Sequence, residues 1–233
     1  MKIFLLSILM AIFVSANTSA VIGLVQKTDG NVKVKGEDSF RKYKVKAGYE
    51  IKSGDLITTA KKANLVLKLV DGSMLVLDSS SSIHFRDDKS VEQTAGKIFY
   101  KITSRDAKNS LKIKTPFAII GIKDTTFIVN ADEKASSIKL QEGLIGIESL
   151  REEFKLFRKE QDKKFDDFKK EQQDGFDKFK QKHKKGVVEL TKEFDLHAGS
   201  TVSFSDDLVN EKVWSEDDSL EFEHFKELMK MEP

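Results

Sequence analysis

Two apolar runs around a turn signal do most to restrict what this chain can fold into. They are Leu65-Val66-Leu67-Lys68-Leu69-Val70, then Asp71-Gly72, then Ser73-Met74-Leu75-Val76-Leu77. An Asp-Gly pair reaches positive φ at both central positions of a type I′ turn, so the segment reads as a β-hairpin. Leu65 and Leu67 fall on one face and Val66 and Lys68 on the other. The same period recurs in Val32-Lys33-Val34-Lys35, Ile98-Phe99-Tyr100-Lys101-Ile102, Leu111-Lys112-Ile113, Thr126-Phe127-Ile128-Val129 and Ser137-Ile138-Lys139-Leu140. Glu142-Gly143 then turns the chain into Leu144-Ile145-Gly146-Ile147. From Val21 to about Glu148 the chain therefore reads as evenly spaced short strands, the signature of a sandwich, a barrel or a rolled β-helix, and periodicity does not choose among them.

Residues 1–20 read as a secretory signal peptide: Lys2, an apolar run from Ile3 to Val14 broken by Ser7, then small and polar residues to Ala20. Cleavage is expected after Ala20, with Ala16 as second choice. The apolar run is short of the ~20 residues a membrane span needs. There is no cysteine, so an exported chain has no disulfides and depends on a packed core. The formal net charge of +2 disfavours a nucleic-acid binder.

A series of small motifs, in order, resembles the FecR domain, a periplasmic β-domain of bacterial envelope regulators. The series comprises Gly54-Asp55-Leu56-Ile57-Thr58, the hairpin Asp71, Gly72 and Ser73, and Gly96-Lys97-Ile98. It continues with Thr115 and Pro116, Ala118, Gly121, then Thr125-Thr126-Phe127 with Thr125 and Phe127 in the motif positions. Glu142 and Gly143 follow, with a late Ala198-Gly199. Asp124 stands where the family usually has a second glycine, and Asp tolerates left-handed backbone better than most residues. The resemblance implies a β-domain in the periplasm. The anti-sigma segment and transmembrane helix of the membrane-spanning FecR regulators are missing from this sequence, so the expectation is an exported FecR-like module without direct control of a sigma factor.

Between Ile147 and Val187 the composition changes. Phe154, Phe157, Phe165, Phe168, Phe176 and Phe179 come in pairs three apart that recur every 11 residues among charged and polar neighbours. Eleven residues at about 100° each end about 20° past three turns, so the pairs draw one slowly drifting stripe along a helix. Ser149 and Glu152 have capping-box spacing, and Gly186 suits the position after a helix end. The reading is one amphipathic helix inserted into the β-domain over 149–186, roughly 50 Å long, with a fold-back near Gly175 as the alternative. The stripe is read first as packing on the β-domain or on another copy, then as lying on a membrane surface or docking on a different protein.

The β-domain resumes over 187–205. Residues 206–233 form an acidic tail with 10 Asp or Glu against 3 Lys or Arg. Leu220, Phe222, Phe225, Leu228 and Met229 predict a short terminal helix, with Trp214 as an anchor before it. His84, His183, His197 and His224 lack metal-ligand spacing, and no nucleophile or phosphate-loop motif is present. Ser79 to Ser82 beside His84 reads as a serine-rich loop.

The expected molecule is mainly β, a rolled β-sandwich or β-helix-like FecR domain over 21–148, with one long inserted helix and a short C-terminal helix. It is expected to be a non-enzymatic periplasmic binding or scaffolding module in envelope sensing or assembly, with no cofactor and no metal. Its expected partner is an envelope protein or another copy. A membrane-surface-associated or self-assembling protein acting through the Phe-striped helix is the alternative.

Overall fold

Three long strands carry the architecture: β9 (Ser90–Ile102), β11 (Ala118–Ala131) and β12 (Ser136–Ser149). The computed structural model describes residues 20–103, 110–158 and 187–230. Each long strand belongs to one sheet layer at one end and to the facing layer at the other. The first layer runs β4 (Glu50–Lys52), β1 (Val21–Asp29), β6 (Asn64–Leu69), β7 (Met74–Leu77), the C-terminal halves of β9 and β11, and the N-terminal half of β12. It continues through β16 (Ser200–Ser205), β17 (Leu208–Val213), β13 (Phe154–Arg158) and β14 (Val187–Thr191). The second layer runs β3 (Tyr43–Lys44), β2 (Val32–Lys35), β5 (Leu56–Thr59), β8 (Ser82–Phe85), the start of β9, β10 (Leu111–Lys114), the start of β11, the end of β12 and β15 (Glu193–His197). Among the described residues only β9–β10 and β13–β17 pair in parallel, which makes this a rolled antiparallel sandwich and not a β-helix.

The bends sit where backbone sterics permit them. β11 and β12 turn together: their register slips between Lys123 and Thr126, with Asp124 at φ +52° and Gly143 at φ +92°. A Cβ on Gly143 would lie 2.4 Å from the Asp124 carbonyl oxygen, so the corner admits only glycine there. β9 bends at the other end of its pairing with β11, at Gly96 (φ +77°), opposite a slip in its pairing with β8. Between the layers, Ile22, Leu65, Leu67, Ile57, Ile83, Phe85, Tyr100, Phe127 and Leu140 belong to one buried core.

The outer face of the first layer is covered by α1 (Glu216–Lys230). Val66, Val76, Phe99 and Ile128 point outward there, and Phe222 and Phe225 close over them. Phe99 stacks on Phe225 at 5.7 Å, and Trp214 stacks on Phe222 at 4.9 Å while its Nε1 donates to the Ser200 carbonyl oxygen at 3.1 Å. Burying the two helix phenylalanines is worth about 2–3 kcal/mol each. The helix starts with Ser215, whose N–H and Oγ both donate to Asp218 Oδ2 at 2.8 and 2.9 Å, while the Asp218 N–H returns to the Ser215 carbonyl. Acidic Glu216, Asp217 and Asp218 in the first turn complement the helix dipole. The predicted terminal helix is therefore present, anchored by Trp214, although Leu220 from its apolar pattern faces solvent.

Three expectations need correction. The helix predicted from residue 149 does not begin there: β12 continues to Ser149 and residues 154–158 are strand β13. Phe154 and Leu156 point into the core, Phe154 against Phe194 and Phe204 at 5.9 and 5.7 Å, while Phe157 faces outward. The period of two through Leu156 wins over the three-residue Phe spacing because β14 and β17 flank the segment and pair its backbone. Ser149 and Glu152 form a local turn instead of a capping box: Ser149 Oγ donates to the Glu152 carbonyl at 2.5 Å and accepts from the Arg151 N–H. The rest of the predicted helix, with Phe165, Phe168, Phe176 and Phe179, lies outside the described residues, as does the predicted signal peptide up to residue 19. Second, the acidic tail does not begin at 206, because β17 pairs with β16 and β13 first. Third, the β6–β7 hairpin has a three-residue loop. Leu69 pairs with Ser73, the Gly72 N–H donates to the Leu69 carbonyl, and only Gly72 (φ +86°) is left-handed, so the turn is type I with a bulge and not type I′.

Candidate functional site

The family-motif residues build turns and corners, each for a local reason. Gly54 (φ +88°) donates to the Phe85 carbonyl at 2.7 Å, and the buried Asp55 carboxylate accepts the Lys52 N–H at 2.9 Å. Burial raises the Asp55 pKa, and the Lys52 N–H offsets part of that rise. Asp71 accepts both the Ser73 N–H and the Ser73 Oγ at 2.9 Å, and Thr103 closes the knot by donating to Ser73 Oγ and to the Asp71 carbonyl. In the β10–β11 turn, Thr115 Oγ1 donates to the Ala118 carbonyl and accepts the Ala118 N–H, with Pro116 setting the bend. Thr125, Glu142 and Gly143 meet at the β11–β12 corner, where Thr126 Oγ1 donates to Glu142 Oε2 at 3.3 Å. Phe127 is buried, stacked on Tyr100 at 4.9 Å. Gly121 sits mid-strand opposite Gly146.

One buried polar group inside the fold was not legible beforehand. Gln93 Nε2 donates to the Gly96 carbonyl at 2.8 Å and the Val129 carbonyl at 3.0 Å, while Tyr100 OH donates to Gln93 Oε1 at 2.8 Å. Both side chains are fully buried. The group ties off carbonyls exposed by the β9 bend, and burial raises the Tyr100 pKa well above its ordinary value, so the phenol stays a donor. A Gln three residues before a strand glycine was the available signal, and it is too common to read alone.

Three surface features remain. A groove of about 500 Å³ crosses the uncovered face of the second layer over Gly121 and Gly146, with Lys112, Glu148 and Asp195 at its sides. Among the described residues β14, at one end of the first layer, pairs only with β13, and this edge shows Val188 (50% exposed), Leu190 (63%), Leu208 and Phe157. Arg158 and Val187 stand opposite one another in that hairpin, so residues 159–186 leave and re-enter the fold at one point of the edge. Among the described residues β3, at the end of the second layer, pairs only with β2, and it carries a basic surface.

Among the described residues no three His, Asp or Glu converge on a metal-sized site. The serines beside His84 fix backbone: Ser79 Oγ accepts the Lys62 N–H and Ser81 Oγ donates to the Lys97 carbonyl. Among the described residues no helix is long and apolar enough to cross a membrane.

Residues 55–146 match the model of the FecR protein family. The matched stretch runs from the start of β5 through most of β12. Among solved structures the chain is similar to two crystal structures of "a putative anti-sigma factor" from Parabacteroides distasonis ATCC 8503. Both are 11% identical, with TM-scores of 0.46 and 0.48, and cover 68% and 72% of this chain. The chain spans 59% and 63% of those two structures' own lengths. A "Cell surface anchoring domain" matches over 28% of this chain and 86% of its own, at 26% identity and a TM-score of 0.27. No curated protein matches the chain.

Proposed function

We propose that this protein is exported, loses residues 1–20, and works in the bacterial periplasm as a binding or scaffolding module of envelope sensing or assembly, acting by contact and not by catalysis. The observation that carries this reading is the open β13–β14 edge. Edge strands ordinarily carry charge, proline or a cover that blocks pairing. β14 carries the single charge of Glu189, and it presents Val188 and Leu190 beside Phe157 and Leu208, an apolar row on a strand that pairs on one side only among the described residues. Such an edge accepts an added strand, with main-chain hydrogen bonds giving affinity and apolar side chains giving selectivity. Residues 159–186, rich in Phe, leave and rejoin the sheet at the same place. The FecR match supports the envelope assignment.

Two measurements test it. Mass spectrometry of the protein recovered from the periplasm should show Val21 as the first residue. A photo-crosslinker at Leu190 should capture one defined envelope protein, or a second copy, in living cells, while the same probe at exposed Asp87 captures none. The Leu190→Lys variant, placing charge on the edge, should abolish the capture with unchanged circular dichroism. A cytoplasmic location, or equal capture from both positions, would refute the reading.

A further inference from the structure

The β2–β3 edge carries a charge pattern that the fold does not use. Between Val32 and Lys46 the chain has Lys33, Lys35, Arg41, Lys42, Lys44 and Lys46 against Glu37 and Asp38, in a molecule whose whole formal charge is +2. Val32, Val34 and Val45 point inward and are buried, so the alternation turns the lysines outward. Lys33 lies directly opposite Lys44 in the β2–β3 register. Like charges so placed repel, and the fold offers them no relief, because none of the six cations takes part in an ion pair among the described residues. In contrast, Lys97, Lys139 and Arg158 elsewhere on the sheets are all matched with carboxylates.

The loop joining the two strands adds two aromatics. Phe40 is fully exposed and touches nothing that shields it, and Tyr43 is more than half exposed. The loop is nonetheless held in shape, with Ser39 Oγ donating to the Arg41 carbonyl and accepting the Arg41 N–H, and Ser39 N–H donating to Gly36. The start of the fold lies at the same edge. Ser53 donates to the Ala20 carbonyl at 2.9 Å, and the next residue, Gly54, abuts Glu37 of this loop.

We propose that the β2–β3 edge is a docking surface for an anionic lipid bilayer, with Lys33, Lys35, Arg41, Lys42 and Lys44 on the phosphate headgroups and Phe40 inserted at the headgroup–acyl boundary. Unmatched cations supply attraction that salt screens, and an exposed aromatic on a hydrogen-bonded loop supplies the apolar part, the combination that peripheral lipid binding uses. The fully exposed phenylalanine favours lipid over a soluble polyanion, which would need the cations alone. This surface is separate from the β13–β14 edge and does not depend on what binds there.

The test is co-sedimentation of the full chain with vesicles of phosphatidylcholine alone and of phosphatidylcholine mixed with phosphatidylglycerol. Any contribution of residues 3–14 is common to every variant, so differences report the edge. The wild type should partition onto anionic vesicles more strongly than onto neutral ones, and added salt should weaken that preference. Each surface cation is worth about a fivefold change, so Lys33→Ala with Lys44→Ala should lower anionic partitioning roughly 30-fold. Phe40→Ser should lower it by about tenfold. Phe40 makes no packing contact, so its replacement leaves the fold intact, which circular dichroism confirms. Equal partitioning of wild type and the lysine variant overturns the proposal. So does a Phe40→Ser variant that partitions like the wild type while soluble polyphosphate competes fully, because the edge would then read a free polyanion.

Discussion

Replacing Gln93 by Leu should be among the most damaging single changes available in this fold, although Gln93 is polar and lies on no family motif. The side chain is fully buried, and its amide satisfies three groups: the Gly96 carbonyl at 2.8 Å, the Val129 carbonyl at 3.0 Å and the Tyr100 hydroxyl at 2.8 Å. Leucine has similar volume, so the loss is of hydrogen bonds and not of packing. A buried polar group left without a partner costs about 1–3 kcal/mol, and two carbonyls and a phenol give about 3–5 kcal/mol in total. Tyr100→Phe removes one donor and orphans only Gln93 Oε1, for about 1–2 kcal/mol. The double variant should cost less than the sum by about 1 kcal/mol, because the phenol that Gln93→Leu strands is no longer there. Urea titration followed by the fluorescence of the single Trp214 and by far-UV circular dichroism measures all three. A loss of about 3–5 kcal/mol corresponds to a melting temperature lower by about 10 °C in a chain of this size. A Gln93→Leu variant within about 1 kcal/mol of wild type would refute the claim that this amide pins the β9 bend.

Two further changes read other joints. Burial pushes the Asp218 carboxyl upward, but hydrogen bonds from Lys139 at 2.6 Å and from Ser215 outweigh it and hold the pKa at about 2 against an ordinary 3.8. A depressed carboxyl stabilises the fold above its unfolded pKa and loses that contribution as pH falls through the folded value. About 2 kcal/mol of stability should therefore disappear between about pH 4 and pH 2, and Lys139→Met should flatten that slope in pH-dependent urea titrations. Gly143→Ala should cost about 2–4 kcal/mol in the same assay, since its φ of +92° and the 2.4 Å approach to the Asp124 carbonyl leave no room for a Cβ.

The strand-built body was legible because its alternation is local. Leu65 and Leu67 reach the interior and Val66 the outer face, as the sequence pattern predicts. The FecR resemblance placed Asp124 where a second glycine is usual, and its φ is +52°. What escaped depends on tertiary partners. Residues 154–158 satisfy a helical Phe spacing and a strand alternation at once, and only the neighbouring β14 and β17 decide between them. The capping-box pattern at Ser149 and Glu152 lost to a sheet that continued through it, while the reciprocal cap formed at Ser215 and Asp218. The Gln93–Tyr100 pair was out of reach because its carbonyl partners are freed by a bend, and a bend is a property of the folded sheet. The basic edge stood in the sequence as Lys33, Lys35 and their neighbours, but its like-charge register needed the pairing of β2 with β3.

The flanks of the inserted segment lead to a last test. Arg158 and Val187 are paired partners in an antiparallel hairpin, so residues 159–186 are topologically a hairpin loop. A single rod-like helix spanning 28 residues would put its ends about 42 Å apart, whereas paired strands hold theirs about 5 Å apart. The segment is therefore an excursion from one point of the edge, and the body does not need it to connect β13 to β14. Replacing 159–186 with Asn-Gly should leave the sheet, the α1 cluster and the Trp214 fluorescence unchanged. Closing a connection of two residues costs less chain entropy than closing one of 28, so the variant should be as stable as the wild type or more stable by up to about 2 kcal/mol. The same variant divides structure from function: if the Phe pairs at 165, 168, 176 and 179 serve a partner, capture at Leu190 falls while the urea midpoint holds. A shortened chain that no longer unfolds cooperatively would instead mean that the segment packs against the body and that the hairpin does not close by itself.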